Sequence, residues 1–200
     1  MKLQKTEYNL IEEARMSDRT ITEDMIFECF AAAQKGADLQ SSAESFVDVE
    51  EYENRVMYPE FARWAKDAGY PEISKIFLKV AGEEKAHSVW MRDLYQDMGE
   101  PSRGEDTARA IAALKEIREN CDRLLAMNPE GVIENALKVA IRVENREWKE
   151  IYPNLRDQAV AANNSRAAEV YQRVIDSEKQ HAQWFQEALD TYQNSRRATA

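Results

Sequence analysis

The chain has only two histidines, and both occupy the same place in an internal repeat. The first copy reads Glu84-Lys85-Ala86-His87-Ser88-Val89-Trp90, and the second reads Glu178-Lys179-Gln180-His181-Ala182-Gln183-Trp184, an offset of 94 residues. Carried upstream, the same offset pairs Val49-Glu50-Glu51-Tyr52-Glu53 with Val143-Glu144-Asn145-Arg146-Glu147, and Tyr58-Pro59 with Tyr152-Pro153. Each half therefore carries Glu-x-x-Glu, then Tyr-Pro, then Glu-x-x-His, in one register. Residues three apart project from the same side of a helix, so both members of each pair point together. Six carboxylates and two imidazoles arranged this way are what two metal ions in the core of a four-helix bundle require.

The flanking residues agree with an inward direction for these motifs. Val49 and Val56 flank the first pair, Val139, Ile141 and Val143 the third, and Phe77 and Val80 precede Glu84 as Tyr171 and Val174 precede Glu178. Buried, unpaired carboxylates are very costly, and a group of six persists only with compensating cations or with several members protonated. The donor set restricts the metal. Carboxylates with one imidazole per ion suit iron, manganese or a mixed pair, whereas structural zinc usually brings thiolates and calcium or magnesium seldom recruits histidine. The formal net charge is −10, but the six candidate ligands account for much of it. No basic tract points to nucleic acid.

Local signals divide the 200 residues into one all-α domain. Few Gly and Pro, with abundant Ala, Glu, Lys, Arg and Gln, make a helical composition. Segment 1–40 is polar and includes a short helix opened by the capping box Thr20-Ile21-Thr22-Glu23, which runs through Ile26, Phe27, Phe30 and Ala31 towards Gly36. A first helical hairpin spans 41–98, turning at Gly69 with Pro71 starting its second arm. Segment 99–128 connects the halves and carries a helix from about Glu105 to Ala126. The second hairpin spans 129–193, opened by Asn128-Pro129 and turned at Asn163-Asn164-Ser165; residues 194–200 are expected to fray. Pro59 and Pro153 fall inside long helices, leave the Arg55 and Lys149 carbonyls without helical partners, and are expected to kink the chain just after the ligand pairs.

Cys29 and Cys121 are isolated and read as separate thiols in a reducing compartment. The N-terminus has no apolar signal region and no apolar run approaches transmembrane length, so the expectation is a cytoplasmic protein, or a stromal one in a plastid or other organelle after loss of a transit peptide.

These motifs resemble the rubrerythrin family of the ferritin-like superfamily over roughly residues 40–193. The telling stretches are Tyr58-Pro59-Glu60-Phe61-Ala62-Arg63 with Gly69-Tyr70, Ile76-Phe77-Leu78 leading to Glu84-Lys85-Ala86-His87, and Val143-Glu144-Asn145-Arg146-Glu147-Trp148 with Ile151-Tyr152-Pro153. The resemblance implies that Glu84 and Glu178 bridge two irons, that Glu50 and Glu144 each hold one, and that His87 and His181 cap one each. It makes Glu147 the additional carboxylate that marks the family. Rubrerythrins usually end in a rubredoxin domain, which this sequence lacks, and usually have no carboxylate at the position of Glu53. Having both Glu53 and Glu147 gives the more symmetric site of the symerythrin branch. Glu53 and Glu147, metal ligands like the other four glutamates, and Tyr58 and Tyr152 are the candidates for catalytic roles, the tyrosines as hydrogen-bond partners of ligand carboxylates.

The function expected from this reading is a di-iron oxidoreductase that reduces hydrogen peroxide, with dioxygen as a second oxidant. Electrons come from an external donor, and the resemblance implies a homodimer. Three other readings stay open on the sequence: an oxygenase acting on an organic substrate, a ferroxidase, and a non-catalytic helical protein stabilised by its metals.

Overall fold

A computed structural model describes residues 21–26, 43–97, 126 and 128–199. The expectations for the first nineteen residues, for the continuation of the short N-terminal helix, for both cysteines and for the connecting helix lie outside these residues.

The described residues are almost entirely helical, in four rods forming two hairpins with a short helical turn at 23–26 beside them. The first rod runs α1 (Ala43–Tyr52), a π-helical segment (Glu53–Met57) and α2 (Tyr58–Asp67). It turns into α3 (Pro71–Asp97). The second hairpin repeats the plan with α4 (Pro129–Arg146), a second π-helical segment (Glu147–Ile151), α5 (Tyr152–Ala161) and α6 (Ser165–Thr199). Packing of α3 on α6 and of α2 on α4 joins the hairpins.

The turns are equivalent too. After α2 the Tyr70 N–H donates to the Ala65 carbonyl at 2.7 Å and Gly69 N–H to Lys66 at 3.0 Å, with Gly69 at φ 87°. After α5 Asn164 N–H donates to Ala159 at 2.8 Å and Asn163 N–H to Val160 at 3.0 Å, with Asn163 at φ 56°. Both are Schellman caps, which need a left-handed residue at the turn; glycine takes that conformation freely and asparagine is the usual substitute. Side chains start the next helices. Asn128 Oδ1 accepts from Gly131 N–H at 2.8 Å and Asn164 Oδ1 from Ala167 N–H at 3.0 Å.

Two sequence expectations are corrected. The cap of the N-terminal turn at 23–26 is Thr22 rather than Thr20: Thr22 Oγ1 accepts from Met25 N–H at 3.3 Å. That register puts Ile21 just before the cap and Ile26 at the fourth helical position, where both are buried as a hydrophobic staple. Asn135 Nδ2 ties the turn to α4 by donating to the Ile21 carbonyl at 2.7 Å. The expected fraying from residue 194 is replaced by helix through Thr199. Arg196 and Arg197 lie in the last turn, where positive charge complements the helix dipole.

The core is split in two along the bundle. One apolar cluster, at the α2–α3 turn, centres on Phe61, Trp64, Phe77, Leu137 and Phe185; the other, towards the far end, on Val47, Met91, Leu94, Tyr171 and Val174. Between them lies a layer of buried glutamates and both histidines. Among the described residues no helix is long and apolar enough to cross a membrane.

Candidate metal centre

The two π-helical segments begin at the second glutamate of each Glu-x-x-Glu pair, Glu53 and Glu147, and each ends just ahead of a Tyr-Pro. This is the form the expected proline interruption takes. The Tyr58 and Tyr152 N–H groups donate five residues back, to the Glu53 and Glu147 carbonyls, and Pro59 and Pro153 then sit in the first turn of α2 and α5, where no N–H is needed. The extra residue also aims the tyrosines. Eight residues of regular α-helix would leave Tyr58 about 80° round the axis from Glu50. Accommodating one extra residue takes back about 100°, leaving the two nearly in line.

Glu50, Glu84, His87 and Glu178 form one group, with one donor atom from each lying within 4.8 Å of all the others. Glu84, Glu144, Glu178 and His181 form a second group by the same measure. Glu84 and Glu178 belong to both, each carboxylate facing both groups with its two oxygens. His87 Nδ1 lies 2.8 Å from Glu84 Oε2 and 2.9 Å from Glu178 Oε1; His181 Nδ1 lies 3.0 Å from Glu84 Oε1 and 2.8 Å from Glu178 Oε2. Glu50 Oε2 stands 3.2 Å from His87 Nδ1 and Glu144 Oε2 stands 3.4 Å from His181 Nδ1. The imidazole ring centres are 5.6 Å apart. Glu53 and Glu147 are buried beside the groups without joining either.

The electrostatics are those of a site built for cations. Burial, and then the charge of neighbouring carboxylates, pushes Glu50, Glu53 and Glu147 well above the ordinary carboxylate range. Burial also raises Glu144, with His181 opposing. For Glu84 burial acts in the same direction but is overcome by His181 and His87, which hold it below its usual range. Both imidazoles are lowered by burial and then raised far more by the glutamates around them. Both oxygens of Glu53 and Oε2 of Glu147 are buried with no hydrogen-bond partner. Orphaned acceptors of this kind cost about 1–3 kcal/mol each. Cations among them would remove the cost, and a carboxylate set with one imidazole per position fits iron or manganese.

Tyr58 donates to Glu144 Oε1 and Tyr152 donates to Glu50 Oε1. Each tyrosine therefore orients the terminal glutamate of the opposite hairpin. Burial, then the adjacent glutamate charge, raises both phenols, which keeps them hydrogen-bond donors. Trp90 and Trp184 lie against the imidazoles, their ring centres 5.3 Å from His87 and 5.6 Å from His181. The repeat continues outward. Arg173 sits 4.1 Å over Trp90 and Lys79 sits 3.1 Å over Trp184, the two cations themselves 94 residues apart. One contact escaped the motif reading: His181 Nε2 faces Glu83 Oε2 at 3.1 Å and Ser177 Oγ at 3.3 Å. The only signal for it in the sequence is that Glu83 and Ser177 are repeat partners of different chemistry.

The rubrerythrin family profile matches residues 45–189. Symerythrin of Cyanophora paradoxa is 32% identical over 150 residues, which is 75% of this chain and 82% of that protein. The crystal structure of that symerythrin, reduced with dithionite, superposes with a TM-score of 0.61 at 28% identity, covering 78% of this chain and 85% of the other. The profile spans every residue of the glutamate–histidine layer. With its repeated Glu-x-x-Glu and Glu-x-x-His in a helical bundle, the chain belongs to the rubrerythrin family of ferritin-like proteins.

Proposed function

We propose that the protein is a di-iron oxidoreductase that reduces hydrogen peroxide to water, with dioxygen as a second oxidant and an external donor restoring the electrons. One observation carries the reading: Glu84 and Glu178 belong to both ligand groups, so the two positions share their carboxylates and act as a pair. Glu50, Glu84, His87, Glu144, Glu178 and His181 would hold two ferrous ions there, which would supply one electron each, the number that reductive cleavage of one O–O bond takes. The overall change is H2O2 + 2e− + 2H+ → 2H2O.

The chain's own residues divide the work. Glu84 and Glu178 hold the two positions together, while Glu50 with His87 and Glu144 with His181 complete one position each. With metals bound, Glu53 and Glu147 would add negative charge to the same dry layer, favouring the more highly charged metal state. Tyr58 and Tyr152 fix the terminal glutamates and keep their phenol protons at the edge of the site. The apolar clusters above and below exclude water.

The test is anaerobic loading with two ferrous equivalents, followed by stopped-flow absorbance on mixing with hydrogen peroxide and, separately, with oxygenated buffer. Oxidation much faster with peroxide, and repeatable after re-reduction, is the expected result. Slow oxidation by both, or uptake of far less than two equivalents, overturns it. Manganese loading in parallel tests the choice of metal.

A further inference from the structure

The 94-residue repeat makes the inner ligands of the two positions equivalent, but the layer just outside them is not. Behind the imidazoles, the position preceding each shared glutamate is Glu83 in the first half and Ser177 in the second. The repeat thus supplies one carboxylate and one hydroxyl to a layer that backs two histidines. A single carboxylate oxygen cannot serve both outer nitrogens equally. Here both groups converge on one ring: Glu83 reaches across from α3 to His181 Nε2 at 3.1 Å, and Ser177 approaches the same atom at 3.3 Å from within α6. Among the described residues His87 Nε2 has no corresponding partner.

We propose that Glu83 is a positioning residue that makes the two metal positions inequivalent, distinguishing the His181 position from the His87 position. His181 faces the shared glutamates with Nδ1, so Nε2 is the nitrogen that carries its hydrogen and donates to Glu83. A carboxylate accepting that hydrogen fixes the ring and makes the inner nitrogen a stronger donor, which is why such outer partners matter to metal sites. Among the described residues His87 has no such support. The His181 position is therefore the electron-richer one. Glu83 is also partly exposed, at 39%, whereas every inner ligand is buried. The inference rests on metal binding at this site and not on the reaction with peroxide.

The repeat itself supplies the test. Mössbauer spectra are recorded on anaerobic protein carrying two equivalents of ferrous iron-57, with bound iron and circular dichroism confirming that each variant is loaded and folded. Wild type is expected to give two quadrupole doublets of equal area. Glu83→Ser places serine in both halves and Ser177→Glu places glutamate in both, so either change should merge the doublets. Glu83→Gln keeps an acceptor without the charge and should leave an intermediate separation. The exchange variant Glu83→Ser with Ser177→Glu moves the single carboxylate to the other half and should restore two doublets. A single doublet in wild type, or separation unchanged in Glu83→Ser, overturns the proposal. Failure of wild type to bind iron overturns it together with the metal-site reading; absent peroxide turnover with two doublets leaves it standing and overturns only the proposed reaction.

Discussion

Glu53 concentrates the conflict at the centre of this protein, since both its oxygens are buried without a partner and its charge is opposed by the glutamates around it. A raised carboxyl contributes stability that is full below the unfolded pKa and is lost as pH rises through the folded one. Glu50, Glu53, Glu144 and Glu147 are all raised, and the raised imidazoles act in the same direction above the ordinary histidine range. Metal-free protein is therefore expected to melt several degrees lower at pH 8 than at pH 5.5, and Glu53→Gln should flatten that slope. Loaded protein should show the opposite trend, because metal binding needs the carboxylates ionised; scanning calorimetry of both forms across pH checks the crossing. Tyr58→Phe removes the donor to Glu144, so it is expected to weaken metal binding by about tenfold. The loss should fall on the Glu144–His181 position in the other hairpin, which spectroscopy of partly loaded protein can locate. The gathering of Glu50, Glu84, His87, Glu144, Glu178 and His181 was legible from spacing because Glu-x-x-His on a helix has one geometry. The partners of the tyrosines and of Glu83 were not, since they depend on how one hairpin lies on the other. A glutamate beside a ligand on a charged helix looks like any solvated residue.

At the level of elements, the repeat extends from side chains to backbone. Two π-helical segments and two Schellman turns recur at the same offset, with Gly69 answered by Asn163. A left-handed conformation costs an ordinary side chain about 1–2 kcal/mol, less for asparagine. Asn163→Ala is thus expected to destabilise the protein by about 1 kcal/mol, a fall in Tm of roughly 2–4 °C for a domain of this size. Asn163→Gly should be close to neutral, and thermal melts of the pair separate the two. Helix starts and stops were readable at Gly69, Pro71, Asn128-Pro129 and Asn163-Asn164 because capping is local chemistry. The prolines announced an interruption but not its form, since an apolar pattern does not reveal one extra residue in a turn. Thr22 displaced Thr20 as a cap because tertiary burial of Ile21 and Ile26 chose between two acceptable registers.

The whole molecule joins its hairpins through two apolar clusters and through the polar layer between them. Two apolar clusters stabilise the ends, and between them the hairpins meet through glutamates that need cations. Chelation of the loaded protein is expected to lower Tm by on the order of 10 °C or more, since ligands bound at about a thousandfold above Kd contribute about 4 kcal/mol each. Differential scanning calorimetry before and after metal removal measures it. The crossing of Tyr58 to Glu144 and of Tyr152 to Glu50, with Glu84 and Glu178 shared between positions, has a consequence for how the chain matures. Neither hairpin owns a complete ligand set. A single hairpin holds three of the four residues of one group, Glu50, Glu84 and His87 or Glu144, Glu178 and His181, and depends on its partner for the second shared glutamate. Docking of the halves adds the last carboxylate to both groups at once, so tight uptake of metal is expected to follow assembly rather than to guide it.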